Sequence, residues 1–138
     1  MTRQQLYEFI QRHKLGVLAT ISEDRLPEAA VVGIAVTTEL ELVFDTLGKS
    51  RKSQNLRRNR QIAFVVGWDE EITVQYEGEA DEPQGSELDR CKQVYFAHWP
   101  DGVARQWWPD ITYFRVRPKW IRYSDFNKIP AEVEELTL

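Results

Sequence analysis

The sequence has few of the residues on which disulfide and metal chemistry depend. Its 138 residues include one cysteine, two histidines and one methionine. The single cysteine, Cys91, cannot form an internal disulfide, which fits a reducing compartment. His13 has no cysteine, histidine or carboxylate at ligand spacing nearby, so no metal site is predicted. A Ser-His-Asp, Cys-His or paired-carboxylate arrangement for catalysis is also missing.

Long apolar runs are absent as well. No stretch approaches the roughly 20 residues that a helix needs to cross a bilayer, and Met1 leads into a helical pattern without an apolar leader segment. We therefore expect a cytoplasmic protein that has no membrane partner. The hydrophobic (42%) and aromatic (12%) fractions are those of a packed globular protein, and a chain of this length is predicted to form a single domain, residues 1–138, around one core.

Positive charge is concentrated in one short segment. Between Lys49 and Arg60, six of twelve residues are Lys or Arg and none is acidic. This basic segment carries +6, whereas the whole chain carries −4, so the remaining residues carry −10. Because that acidic remainder would repel a phosphate backbone, nucleic-acid binding is not expected.

The basic segment predicts a short helix whose first turn suits an anion. Ser50, Arg51 and Lys52 lie where free backbone N–H groups and the helix dipole favour negative charge. A hydroxyl, a guanidinium and an ammonium together match a phosphate monoester. Only Leu56 could anchor the helix in a core, so its burial contributes little stability. A solvated basic face is the competing interpretation, and we favour a phosphate pocket with Thr46 at its mouth.

Hydrophobic periodicity predicts helices and many short strands. Thr2 and Gln5 have capping-box spacing before an apolar stripe, which predicts a helix that ends near Lys14. A second helix begins at Ser86 and includes Cys91 in its apolar stripe as a small core residue. The predicted strands cover residues 15–21, 29–36, 40–44, 62–66, 71–79, 111–116 and 120–123, and the acidic tail from residue 132 is expected to fray. Six or seven strands with helices outside predict a mainly β (α+β) fold, a small antiparallel barrel that is closed or nearly closed.

Three features each allow two interpretations. Residues 29–36 are apolar throughout, which predicts burial on both faces, and Gly33 among them marks either a barrel corner or the close approach of a ligand. Thr73 and Gln75, on the polar face of residues 71–79, either face water or line a polar ligand. Trp107 and Trp108 cannot both enter one core from a short loop, so one of them would pack on a ligand ring or on a partner subunit.

One motif carries a family resemblance. It is Thr46-Leu-Gly-Lys-Ser-Arg-Lys52, followed by Asn55-Leu56 and a strand. With this motif the sequence resembles the pyridoxamine 5′-phosphate oxidase-like family of FMN-binding split β-barrels, and the likeness runs from Leu15-Gly-Val-Leu-Ala-Thr20 to Lys119-Trp-Ile-Arg-Tyr123. The resemblance implies a six- to seven-stranded antiparallel split β-barrel with flanking helices, FMN as the cofactor, and a homodimer with two flavin sites at the subunit interface.

The resemblance also implies roles for individual residues. Arg51 and Lys52 would hold the FMN phosphate, and Ser50 and Thr46 would add hydroxyl contacts. The backbone of Val31, Val32 and Gly33 would border the isoalloxazine, and Thr73 or Gln75 would touch the polar edge of the flavin. Gln106, Trp107 and Trp108 would reach the partner's cofactor. Trp120 and Arg122 would complete the pocket.

The chain departs from the pyridoxamine phosphate oxidases themselves at several positions. On a strand that follows a proline, those enzymes carry an Arg and, a few residues later, a Lys. This chain has Ala30 in place of the Arg and Ala35 or Val36 in place of the Lys. Their C-terminal Arg-x-His pair has its nearest analogue in Arg115-Val-Arg117, which lacks the His.

These departures predict that the protein is not a true pyridoxamine phosphate oxidase. We expect a flavin-dependent oxidoreductase that transfers hydride at flavin N5 and acts on an unidentified small substrate. Three alternatives stay open: a deazaflavin in place of FMN, a non-catalytic flavin or haem binding or storage module on the same barrel, and a non-enzymatic protein whose basic helix meets an anionic partner.

Overall fold

The computed structural model describes residues 1–138 as a strongly curved antiparallel sheet with four flanking helices. The helices are α1 (Arg3–Gln11), α2 (Arg51–Arg58), α3 (Gly85–His98) and α4 (Gly102–Arg105). The strands are β1 (Leu15–Ile21), β2 (Pro27–Gly33), β3 (Ala35–Val36), β4 (Leu42–Leu47), β5 (Gln61–Val66), β6 (Ile72–Asp81), β7 (Ile111–Asp125) and β8 (Glu132–Thr137). Their order in the sheet is β2-β1-β5-β6-β7-β4-β3, with β8 also paired to β7. The predicted mainly β split barrel with flanking helices is confirmed.

The inner face of the sheet supplies the core. Leu18, Phe64 and Tyr76 are cross-strand neighbours on β1, β5 and β6, and all three are buried. They belong to a cluster of 20 buried residues that also includes the apolar stripe of α1. The predicted capping box of α1 is confirmed, since the Thr2 hydroxyl accepts the N–H of Gln5 and the Gln5 side chain accepts the N–H of Thr2. Burial of the stripe therefore places α1 on the barrel.

The barrel is open along one line, and α2 lies in that opening. β2 and β3 are joined through Ile34 and stand at opposite ends of the strand order. The outer edge of β2 pairs with no strand, and β4 pairs with β3 only at Val43 and Leu42. The Asn55 side chain of α2 donates to Thr20 Oγ1 on β1 at 3.0 Å, and Ser53 Oγ donates to the Leu47 carbonyl on β4 at 2.7 Å. Helix α2 therefore connects the two sides of the split.

Two predictions about the ends of the sheet were wrong. Residues 111–116 and 120–123 form one strand, β7, because a bulge absorbs Pro118: the pairing with β6 shifts between Glu77 and Gly78. A proline has no N–H for the sheet, and a bulge lets the strand continue past it. The acidic tail does not fray. It forms β8, in which Leu136 pairs with Ile121 of β7.

The prediction of one strand over residues 29–36, buried on both faces, was also wrong. The strand ends at Gly33 and resumes at Ala35 after a break at Ile34. Val31 is 59% exposed, because it lies on the outer face of the edge strand β2. A continuous apolar run is typical of a strand covered on both sides, and here the chain itself covers only one side.

Other local predictions differ less from the structure. Helix α3 ends at His98, and the short helix α4 begins at Gly102. Cys91 is fully buried in a second small cluster with Tyr95 and Tyr113, as expected of a core residue. None of the four helices is long and apolar enough to span a bilayer.

Tyr76 tests how much one buried hydrogen bond contributes to this core. Its ring is fully buried, and its hydroxyl donates to the Leu40 carbonyl at 2.7 Å. Tyr76→Phe leaves that buried acceptor without its donor, so we expect the free energy of unfolding, measured by urea denaturation, to fall by about 1–2 kcal/mol.

Tyr113→Phe is the matched control. The Tyr113 side chain is also buried, at 5% exposure, but its hydroxyl has no hydrogen-bond partner. Removing it should change the free energy of unfolding by less than about 0.5 kcal/mol or should stabilise the protein. Equal losses in the two variants would show that the Tyr76 hydrogen bond makes no special contribution.

Candidate functional site

The helix α2 begins where the sequence predicts, with Ser50 as its N-cap. Ser50 Oγ accepts the N–H of Ser53 at 3.2 Å, and the Thr46 hydroxyl donates to Ser50 Oγ at 3.1 Å. The first-turn N–H groups of a helix point outward at this end, and the helix dipole makes it positive. Two hydroxyls and the start of a basic helix therefore lie together.

The loop before α2 is fixed by Asp110. The N–H of Gly48 donates to the Asp110 carbonyl at 2.8 Å, and the N–H of Lys49 donates to Asp110 Oδ2 at 2.9 Å. A Cβ at Gly48 would stand 2.5 Å from Asp110 Oδ1, so this close approach requires a glycine. Arg57 closes the loop from the other side by donating to the Gly48 carbonyl at 2.7 Å. Arg57, one of the cations of the basic segment, is therefore engaged by the protein itself and is not free for a ligand.

Arg51 and Lys52 line one cavity of about 200 Å³ in the split of the barrel. Its opposite wall is the edge strand β2, with Ala29 and Ala30, and its floor includes Leu18, Thr20 and Asn55. The Arg51 side chain is 81% exposed, while Lys52 is half-buried. Ala29 and Ala30 point to opposite faces of β2, so the cavity opens over the edge of the sheet.

The cavity also contains a carboxylate that the sequence pattern does not single out. Glu28 of β2 places Oε2 3.1 Å from Arg51 Nε, and its Oε1 accepts the Asn55 side chain at 2.8 Å. Glu28 pairs with Thr20 across β1 and β2, so both side chains face the same helix. Only the strand register brings these residues together, and one sequence does not reveal that register.

The outer face of the sheet carries a second group of predicted residues. One row of cross-strand neighbours crosses five strands: Val31, Val17, Val65, Gln75 and Arg122. Neighbouring strands are about 4.8 Å apart, so Val31 and Gln75 are separated by about 14 Å. The next row contains Trp120, whose Nε1 donates to Glu135 Oε2 of β8 at 3.2 Å. Thr73 lies on the same face as Gln75, at the half-buried start of β6.

A third group is the exposed loop after α4. Trp107 is 79% exposed and Trp108 is 54% exposed, and Gln106 precedes them. This loop leads into Asp110 and is therefore joined to the start of α2. Within one protomer, the predicted site residues thus form three separate groups: the split at α2, the outer face at β6 and β7, and this tryptophan loop.

Gly33 is explained by an aromatic side chain. A Cβ at Gly33 would stand 2.8 Å from Trp99 Cζ2, and Trp99 Nε1 donates to the Ile34 carbonyl at 2.9 Å. The Lys14 ammonium lies 4.6 Å from the centroid of the same indole. Val32 is buried in the core, so its backbone alone could reach a ligand. The sequence pattern missed Trp99, because a residue 66 positions after Gly33 gives no local signal.

Arg115 is committed to ion pairs within the protein. It is 4% exposed, its Nη2 lies 2.8 Å from Asp81 Oδ2, and its Nη1 lies 2.8 Å from Glu87 Oε1. Hydrogen bonds from Arg90 and then from Arg115 lower the pKa of Glu87 to about 2. Arg115 is part of the nearest analogue of the C-terminal Arg-x-His pair of the pyridoxamine phosphate oxidases. In this chain its charge is already neutralised by carboxylates where α3 meets the sheet.

An anionic residue also fixes the helices that carry the tryptophan loop. Asp45 of β4 accepts the Tyr95 hydroxyl at 2.9 Å and Arg105 Nε at 3.2 Å. Burial, followed by the charge of Asp45, raises the pKa of Tyr95. These contacts join α3 and α4 to β4, the strand that carries Thr46, so the loop and the start of α2 share one support.

Comparison with known sequences identifies the family. The family model described as pyridoxamine 5′-phosphate oxidase matches residues 2–125. A pyridoxine/pyridoxamine 5′-phosphate oxidase from Burkholderia lata is 37% identical over 86 residues, which make up 62% of this chain and 38% of that protein. The chain therefore aligns with well under half of that relative's length.

Solved structures with the same fold include proteins of different description. A haem binding protein from Mycobacterium smegmatis superposes with a TM-score of 0.84 at 15% identity, over 99% of this chain and 58% of that one. General Stress Protein 26 from Bacillus anthracis gives 0.76 at 21% identity, over 99% and 98% of the two chains. The haem storage protein HutZ from Vibrio cholerae gives 0.74 at 15% identity, over 97% and 92%.

At such low identities these structures share the fold with this chain, and the fold alone does not decide function. The sequence match is more specific, since it extends from α1 to the end of β7. This chain belongs to the pyridoxamine 5′-phosphate oxidase family.

Proposed function

We propose that this protein binds FMN and acts as a flavin-dependent oxidoreductase on a small molecule. The observation that carries the proposal is the pairing of Arg51 and Lys52 in one cavity at the start of α2, in a member of the pyridoxamine 5′-phosphate oxidase family. In this proposal they bind the phosphate, with the hydroxyls of Ser50 and Thr46 beside them. The expected site of action is the cytoplasm, which fits a chain with one buried cysteine.

The residues present fit a phosphate monoester. Lys52 forms no salt bridge within the chain, so its ammonium is free to meet a ligand, while Arg51 pairs only with Glu28. Charged hydrogen bonds of this kind contribute roughly 1.5–3 kcal/mol each. Because the cavity opens over the edge of β2, a ring attached to the phosphate can reach the outer face of the sheet.

The outer face fits one side of a flat aromatic ring. Val31, Val17 and Val65 form an apolar strip about 10 Å across, which is two strand spacings. Gln75 follows in the same row and offers both a donor and an acceptor to a polar ring edge. The free edge of β2 adds backbone groups of residues 31–33. When bound, FMN supplies the hydride chemistry, and these residues fix the ring and leave its other side open.

Haem is the second candidate, because two solved structures with this fold are a haem binding and a haem storage protein. Haem iron needs an axial His, Cys, Met or Tyr. The imidazole Nδ1 of His13 lies 2.8 Å from the Phe9 carbonyl, and Nε2 of His98 lies 3.1 Å from the His13 carbonyl. Cys91 is fully buried. The row from Val31 to Arg122 contains no such ligand, so we favour FMN.

We also propose a homodimer with the flavin between the subunits. The uncovered outer face exposes Leu15 (41%) and Val31 (59%), the turn between β1 and β2 exposes Leu26 (61%), and an apolar area of this kind is typical of an interface. A two-fold axis would bring the outer face or the tryptophan loop of one subunit to the split of its partner. In this arrangement Trp108 and Trp120 complete a site that one protomer leaves in separate groups.

The absorption spectrum of the purified protein, alone and after addition of FMN, tests the cofactor. Flavin bands support the proposal, a shifted spectrum identifies a deazaflavin, and a Soret band indicates haem. A colourless protein that fails to bind FMN at micromolar concentration contradicts the proposal. Bleaching by a reduced nicotinamide cofactor, with reoxidation by an added acceptor, separates an oxidoreductase from a binding module.

Replacing both Arg51 and Lys52 with Ala tests the phosphate contacts. We expect FMN binding, measured by quenching of flavin fluorescence, to weaken by about 2 kcal/mol or more, which is roughly 30-fold in the dissociation constant. The matched control is Arg58→Ala with Arg60→Ala, which removes the same charge at the other end of α2. The control should lose little affinity, because exposed charges beyond about 10 Å are screened at physiological salt. Equal losses of FMN affinity in the two double variants would show that the effect comes from net charge and not from contacts of Arg51 and Lys52 with the phosphate.

Val31→Arg tests the dimer. A buried unpaired charge at the centre of an apolar interface is costly, so we expect this variant to be monomeric by light scattering while the wild type is dimeric at micromolar concentration. Ile129→Arg is the control, since Ile129 is an apolar residue that is 98% exposed on the loop between β7 and β8. A monomeric wild type, or a dimeric Val31→Arg variant, would rule out this interface.

A further inference from the structure

The proposed phosphate cavity contains an anion that belongs to the chain. Glu28 Oε2 lies 3.1 Å from Arg51 Nε, and Glu28 Oε1 accepts Asn55 Nδ2 at 2.8 Å. All three residues line the same cavity as Lys52. The Asn55 amide, by a hydrogen bond, and the Arg51 guanidinium, by an ion pair, therefore meet one carboxylate at the place where the proposed function needs a phosphate.

The three partners differ in their freedom to move. Asn55 is 3% exposed and also donates to Thr20 Oγ1 at 3.0 Å, so it is fixed between α2 and β1. The Arg51 side chain is 81% exposed and the Glu28 side chain is 31% exposed. Asn55 therefore retains the Glu28 carboxylate in the cavity, whereas the guanidinium can exchange one anion for another.

From this geometry we infer that Glu28 determines the specificity of the site by competing with the ligand's phosphate for Arg51. The inference rests on the proposed FMN function and adds to it a residue that opposes binding. A guanidinium binds carboxylate and phosphate through the same fork of donors, so both anions require the same group. A phosphate dianion beside Lys52 would also be repelled by the nearby carboxylate. A phosphate that binds Arg51 through Nε therefore displaces Glu28, while a ligand without a phosphate need not.

Glu28→Gln tests this competition without removing the contact to α2. A glutamine keeps an oxygen that can accept the Asn55 side chain but loses the negative charge. FMN and riboflavin are the probes, because they differ only by the phosphate, and each is titrated against wild type and variant by flavin fluorescence. We expect the variant to bind FMN tighter by on the order of tenfold, since it removes both a competitor and a like charge. Riboflavin affinity should not change.

Glu23→Gln is the matched control, since it removes one acidic charge from the exposed turn between β1 and β2. It should leave both affinities unchanged. Glu28→Ala is a second variant that removes both oxygens, and its ratio of FMN to riboflavin affinity should rise as well. That ratio does not depend on the fraction of folded protein, so a merely structural role of Glu28 would not move it.

The outcomes separate this inference from the function on which it rests. If the wild type binds FMN and Glu28→Gln binds it equally or more weakly, Glu28 orients Arg51 or is neutral, and the inference is overturned while the FMN site stands. If neither protein binds FMN, both proposals fail.

Discussion

Polar contacts from one short helix connect the two sides of the split barrel. Helix α2 has a single buried apolar side chain, Leu56, and its other buried residues are Ser53 and Asn55. Asn55 donates to β1 and Ser53 donates to β4, so the helix is fixed by hydrogen bonds across the split. A buried polar group is stabilising only when its partners are in place. The position of Arg51 and Lys52 therefore depends on these two contacts as much as on the charge pattern of the segment.

Local sequence signals predicted those parts of the fold that local chemistry decides. The capping box of α1 and the start of α2 at Ser50 follow from residues three positions apart, which interact within one turn. The alternation in β6 predicted which of its residues face the core. The exposed face of Val31 could not be predicted in this way, because a run of apolar residues shows which strand can be buried and not which partner covers it.

The candidate site was predictable in part for the same reason. The basic segment and its first turn are contiguous in sequence, and the cavity they line was expected beside them. Glu28, Asn55 and Trp99 acquire their positions through strand register and through the path of α3, which are long-range properties. Trp107 and Trp108, on the loop after α4, were expected not to fit together into one core, and both are exposed.

The hydrogen bonds of Asp110 have a mechanical consequence. Asp110 joins the backbone of Gly48 and Lys49, just before α2, to the loop that displays Trp107 and Trp108. Asp110 therefore sets the position of the helix start relative to these two indoles through one backbone and one side-chain hydrogen bond.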